Sequence, residues 1–141
     1  EMTPITESGK VSVLDIRARM NDGSQVNIEV QVCKDPDMAR RSLYYWARIY
    51  SGSLHKGAPC RSLMPAISIN LMDFNAFEQY TTCHHSYHVR NDETHDILIG
   101  DLEMHFIELE KYASETFENC VSLNNGSLIF LINAATNNGR C

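Results

Sequence analysis

VLDIRARMNDGSQVNIEVQV, residues 13–32, is the stretch whose reading decides the fold. In its first half Leu14, Ile16, Ala18 and Met20 are apolar, and Val13, Asp15, Arg17 and Arg19 interleave with them. In its second half Val26, Ile28, Val30 and Val32 alternate with Asn27, Glu29 and Gln31. Period two on both sides of Asn21-Asp22-Gly23 predicts a β-hairpin. Gly23 tolerates a positive φ, so a three-residue loop over 21–23 with Gly23 left-handed sets the register. Met20 then faces Ser24, Arg17 faces Asn27, Asp15 faces Glu29 and Val13 faces Gln31. The even positions share one apolar face, while Asp15, Glu29 and Gln31 gather on the other.

Two carboxylates directly opposed on a sheet have Cβ atoms about 5 Å apart and repel each other. A cation between them removes that cost. Mg2+ suits such a pair: it takes oxygen ligands, needs few protein carboxylates and keeps water or phosphate oxygens for the rest. A solvated polar face that happens to carry two acids fits the same spacing, and the spacing alone leaves both readings open.

Asp35-Pro36-Asp37 predicts a helix start, with Asp35 as the cap and Pro36 in the first turn, running to about Ser53. Ala39, Leu43, Trp46, Ala47 and Tyr50 form its expected buried stripe. Arg41 and Tyr45 sit four apart on another face, as do Tyr44 and Arg48. Such a face can hold a phosphate or orient a substrate strand, or it can be an ordinary solvated face with aromatic packing. Pro65 introduces a central strand in which Ile67, Ile69 and Leu71 alternate with Ser68 and Asn70. Cys83–Val89 and Glu103–Leu109 predict further strands, and Glu110–Asn119 a short helix. Cys83, His84, His85 and His88 are zinc-type ligands, but a strand points His84 and His85 to opposite faces, which favours a polar edge strand. His105, on an alternating strand, is assigned to packing or hydrogen bonding.

Composition sets the bounds. A chain of 141 residues with 43% hydrophobic and 21% charged residues is expected to be one globular domain. No apolar run approaches the ~20 residues of a membrane-spanning helix, so no membrane partner is expected. Glu1-Met2 opens no basic-then-apolar pattern, so no secretory leader is expected either. Five scattered cysteines without a C-x-x-C argue against a disulfide framework and for a reducing, cytoplasmic setting. The net charge of −6 is uneven: residues 1–61 carry nine Lys/Arg and seven Asp/Glu, residues 62–141 three and eleven. A polyanionic partner would approach the first part.

Four segments, in this order, carry a resemblance: GKVSVLDIRARMNDGSQVNIEVQV (9–32), MARRSLYYWARIYSGSLHKG (38–57), LMPAISINLMDF (63–74) and EMHFIELEK (103–111). Together they resemble the recombination-promoting nuclease (transposase) family of bacteria, within the PD-(D/E)XK nuclease superfamily. The resemblance implies an α/β fold with a restriction-endonuclease-like core, a mixed sheet opened by a β-hairpin and flanked by helices. It also implies Mg2+ dependence and cleavage of DNA. It places the superfamily's Asp on Asp15 and its acidic-x-Lys motif on Glu29-Val30-Gln31, with Gln for Lys as is usual in this family. Its helix Arg and Tyr fall on Arg41 and Tyr45. Asp15 and Glu29 are then the implied metal ligands, Gln31 completes the catalytic set, and Arg41 and Tyr45 bind substrate. Phosphodiester hydrolysis needs a metal to neutralise the phosphate and generate hydroxide from bound water. Gln31 can hydrogen-bond that water but lacks the charge of a Lys, which predicts slow turnover or greater reliance on the metal.

Members of the family usually open with a helix carrying an acidic residue and a Phe-Lys pair, and nothing similar precedes Lys10. The chain therefore reads as lacking that helix and a third acidic ligand, with a nuclease-like domain over 1–123 and a non-family tail, rich in Asn and Gly, over 124–141. Leu14, Ile16, Ile28 and Val30 would then lack cover, which predicts a self-associating chain, a homo-oligomer. The missing helix and the acidic charge balance support a rival from a different class: a degenerate, inactive remnant of the nuclease fold serving as a folded or interaction module.

Overall fold

A computed structural model of the protein describes residues 13–114. β1 (Val13–Arg19) and β2 (Gln25–Gln31) form the expected hairpin. Met20 N–H donates to Ser24 O (2.8 Å), Gly23 N–H donates to Met20 O (3.0 Å), and Gly23 has φ of +90°, a conformation that glycine adopts at little cost. Asp22 Oδ1 accepts from both the N–H and the hydroxyl of Ser24, which closes the loop. The register follows from this turn: Asp15 pairs with Glu29, Arg17 with Asn27 and Val13 with Gln31.

After β2 the chain rises into α1 (Met38–Gly52) and returns as β3 (Ala66–Met72), parallel to β2. The short β4 (His84–Tyr87) lies at the far edge, antiparallel to β5 (Leu102–Glu108), which runs parallel to β3. The order β1-β2-β3-β5-β4 makes a five-stranded mixed sheet with β3 at its centre. This is the α/β, restriction-endonuclease-like architecture expected from the sequence, with one α-helix on the sheet among the described residues. A 3-10 turn covers Leu109–Ser114; the rest of the helix expected over 110–119 and the tail over 124–141 lie outside the described residues.

The even-numbered residues of the hairpin face an apolar core of Val26, Ile28, Ile69, Leu71, Cys83 and Ile107. Ile28 is buried, and Ile16 and Val30 are partly buried against that core. The uncovered face that motivated the expectation of self-association is therefore not uncovered at these positions. Cys83 is disulfide-bonded, a pairing that the odd, scattered cysteines did not suggest.

The face under α1 is different. Asn27, Glu29 and Gln31 of β2 and Ser68 and Asn70 of β3 are all buried there. The helix itself departs from the predicted one in two ways. First, α1 starts at Met38 with Asp37 in the N-cap position; Asp35 lies ahead of it, its Oδ1 accepting the Asp37 N–H (2.8 Å) in a local turn. Second, the buried stripe is Met38, Ser42 and Ile49, whereas Leu43 is 50% exposed and Ala39 and Ala47 are exposed. A polar floor takes the hydroxyl of Ser42, which donates to Asn70 Oδ1 (2.8 Å), in preference to an alkyl side chain. Trp46 and Tyr50 do anchor the helix: their rings stack at 4.9 Å, Trp46 Nε1–H donates to Ala66 O (2.7 Å) and the Tyr50 hydroxyl donates to Asp101 (2.7 Å).

At the other end of the sheet, Met38, Met72, Phe74, Met104 and Phe106 make a second apolar cluster. Beside it the wholly buried Glu108 carboxylate accepts the Ala76 and Phe77 N–H groups (2.7 and 2.9 Å) and pairs with Lys111 (2.6 Å) and His85 (3.1 Å). Its burial pushes the carboxyl up, but Lys111, the two backbone donors and His85 outweigh that, and it lies below the usual Glu value. On the opposite face, His84 Nε2 and His105 Nδ1 share a proton at 2.8 Å, and His105 Nε2 lies 2.8 Å from Glu103. The alternation expected of β4 thus sends His84 and His85 to different partners, and burial followed by the neighbouring His105 pushes His84 down to about 4.

Candidate functional site

The crossover from β2 through α1 to β3 places the start of α1 above the carboxyl ends of two parallel strands, where open α/β sheets bind ligands. Glu29 and Gln31 stand two apart on β2, so both side chains leave the same face. Asp15 faces Glu29 from β1 and is exposed; Glu29 is 3% exposed and Gln31 fully buried. The hairpin therefore brings the three residues of the predicted catalytic set together at one place, open to solvent on the Asp15 side.

Arg41 reaches down from α1 into this group. Its Nη2 donates to Glu29 Oε1 (2.8 Å) and its Nη1 to Asp35 Oδ2 (2.8 Å), with the side chain about three-quarters buried. Burial holds the Glu29 carboxyl above its ordinary value; the charge of Arg41 opposes this, and Asp15 and Asp35 add to it. The amide of Gln31 has neither its oxygen nor its nitrogen hydrogen-bonded among the described residues, and Arg41 Nε is likewise unpartnered. Such atoms are uncommon at buried positions in folded proteins, and a bound ion or water is one way of satisfying them.

Tyr45 lies one turn beyond Arg41, half-buried, with its ring edge-on to Tyr44 at 5.5 Å. Arg48 stands over the Tyr44 ring at 5.7 Å, as the four-residue spacing suggested. Nearby, Arg17, Gln25, Arg48 and Ile49 line a shallow groove of about 220 Å³ between the hairpin and α1. A cation on each side of the groove, Arg17 from β1 and Arg48 from α1, is the kind of lining that tracks a phosphate backbone.

Two residues of the site were not read as such from the sequence. Asp35, taken for a cap, is the second carboxylate held by Arg41; the six-residue gap to Arg41 crosses a turn and a helix start and has no periodic signature. Asn70, the β3 neighbour of Glu29, is buried, accepts from Ser42 and donates to His105 O (3.2 Å). Polar residues alternating in a central strand were its only signal.

The candidate ligands are oxygen donors, the opposed carboxylates of Asp15 and Glu29, with the unpartnered Gln31 amide beside them. That fits Mg2+, which is often held by one or two carboxylates with water and phosphate oxygens completing the shell. No group of three His, Cys, Asp or Glu with metal-holding geometry exists among the described residues.

The family model for PD-(D/E)XK nuclease family transposases matches residues 1–140. The chain belongs to this family. Its members are nucleases of mobile elements, and such nucleases typically use divalent metal ions. No curated protein and no solved structure matches the chain significantly. No helix among the described residues of this PD-(D/E)XK family member is long and apolar enough to cross a membrane.

Proposed function

We propose that the chain is a Mg2+-dependent endonuclease domain that hydrolyses phosphodiester bonds in DNA. The observation that carries this reading is the placement of Asp15 opposite Glu29, beside a buried Gln31 amide with no hydrogen-bond partner. Electrostatics supports it. Arg41 is divided between the carboxylates of Glu29 and Asp35, and the charge of Asp15 acts on Glu29 in the same direction as that of Asp35, a negative balance that a divalent ion offsets.

Asp15 and Glu29 are assigned as the ligands. A divalent ion bound there supplies charge neutralisation at the scissile phosphate and an acidified water. Gln31 accepts a hydrogen bond from the attacking water and orients it. Arg41 and Tyr45 hold a phosphate oxygen from the helix side, and Arg17 and Arg48 guide the flanking backbone along their groove. Gln31 carries no charge, so it aligns the nucleophile without lowering its pKa, and turnover is slow.

The test is nicking of supercoiled plasmid with Mg2+ and with EDTA. Asp15→Asn and Glu29→Gln should abolish Mg2+-dependent cleavage, because an amide is a poor ligand for a hard cation. Cleavage that survives Asp15→Asn overturns the assignment, and a folded parent chain without activity on plasmid or oligonucleotide points to the inactive-remnant reading.

A further inference from the structure

Arg41 occupies the carboxylate that the proposed metal needs. The geometry is that of a fork: one edge nitrogen on Glu29 Oε1 and the other on Asp35 Oδ2, both at 2.8 Å. Asp35 is itself fixed ahead of the helix by its bond to the Asp37 N–H. Glu29 and Gln31 are buried on β2, a strand paired on both sides, whereas Asp15 opposite Glu29 is exposed on the edge strand. In the metal-free chain the guanidinium is therefore the counter-ion of Glu29, and a second cation entering from the Asp15 side meets it there.

We propose that Arg41 is an exchangeable counter-ion: binding of a divalent cation between Asp15 and Glu29 displaces its guanidinium from Glu29, while Asp35 retains the other half. This rests on the metal-site reading above and adds to it. The freed edge of Arg41 presents N–H donors beside the cation, a position suited to a non-bridging phosphate oxygen. Cation and phosphate binding are then coupled through one side chain, each favouring the Arg41 position that the other needs, and coupling of this kind is reciprocal. Asp35 is the positioning residue that keeps the displaced guanidinium at the site.

The experiment is Mn2+ titration of the metal-free full chain by calorimetry, with a thermal melt for every variant. Arg41→Ala removes the competitor and should tighten Mn2+ binding by about tenfold, within the range of ordinary coupling between sites. Arg40→Ala removes an equal charge one residue away, from an exposed Arg that pairs only with Asp37 in the structure's ion pairs, and should change binding less than about twofold, as an exposed and screened charge does. Arg41→Lys keeps the charge but cannot span both carboxylates, so its affinity should fall between the parent and Arg41→Ala. Asp15→Asn should abolish binding in every background. If Arg41→Ala binds no tighter than Arg40→Ala, or Arg41→Lys matches the parent, the exchange is refuted while the metal site stands. If no variant shows binding sensitive to Asp15→Asn, both fail. A variant that does not melt cooperatively is replaced by Arg41→Gln, for which the same tightening is required.

Discussion

Replacing Gln31 by Met should stabilise the metal-free protein and disable it. Gln31 is completely buried, and neither polar atom of its amide has a partner among the described residues. A buried polar group left unsatisfied costs about 1–3 kcal/mol. Methionine keeps the unbranched length and nearly the volume, so the exchange adds little strain. It also sits next to Met72, the parallel neighbour of Gln31 on β3 and part of the apolar cluster with Met38 and Phe74. The expected gain is therefore about 1–3 kcal/mol, or roughly 3–5 °C in Tm for each kcal/mol in a domain of this size. The assay is urea unfolding in EDTA, followed by the fluorescence of Trp46, with Gln31→Ala beside it. Met should raise the midpoint at constant m, and Ala should not, because it opens a cavity. The same Gln31→Met chain should lose Mg2+-dependent nicking. A midpoint lowered or unmoved by Gln31→Met would refute the reasoning, since it would mean that the amide is satisfied in solution.

Two other predictions concern the frame around the site. Glu108→Gln keeps the shape but loses charge-assisted bonds to Lys111 and His85, and should cost about 1.5–3 kcal/mol at pH 7. Because the folded-state pKa of Glu108 lies below 4.5, its contribution is fully present above pH 4.5 and fades as pH falls through the folded value. Parent and variant stabilities, measured by denaturation across pH 7 to 3, should therefore converge in acid. Gly23→Ala puts a Cβ at φ +90° and against the end of the Met64 side chain, and should cost about 1–2 kcal/mol by chemical denaturation; an unchanged stability would remove the turn from its role in setting the register.

The hairpin was legible because two local signals agree. Alternation gives the faces, and Asn21-Asp22-Gly23 gives the loop length, so the pairing of Asp15 with Glu29 follows without knowing the rest of the fold. The face of α1 was not legible. Leu43 and Ala47 look like core residues on a helical wheel, but the floor beneath α1 is built from Glu29, Gln31, Ser68 and Asn70, and a wheel drawn for one helix carries no information on what lies below it. Asp35 escaped for a related reason: its local role at the helix start is real, and its contact with Arg41 depends on how the helix is turned on the sheet. Glu108 collects its partners from the segment after β3, from β4 and from the turn after β5, which only the tertiary structure brings together.

The position of β1 at the end of the strand order has a consequence for how the site persists in time. Glu29 sits on a strand hydrogen-bonded on both sides, whereas Asp15 sits on one bonded to β2 alone. Amide protons of β1 should exchange through local opening of the hairpin, at a free energy well below that of global unfolding. The proposed metal-binding pair, Asp15 and Glu29, thus spans two strands with different expected local stability. One half is expected to persist with the interior of the sheet and the other to open locally with the edge strand, so the two carboxylates should separate and re-form without global unfolding.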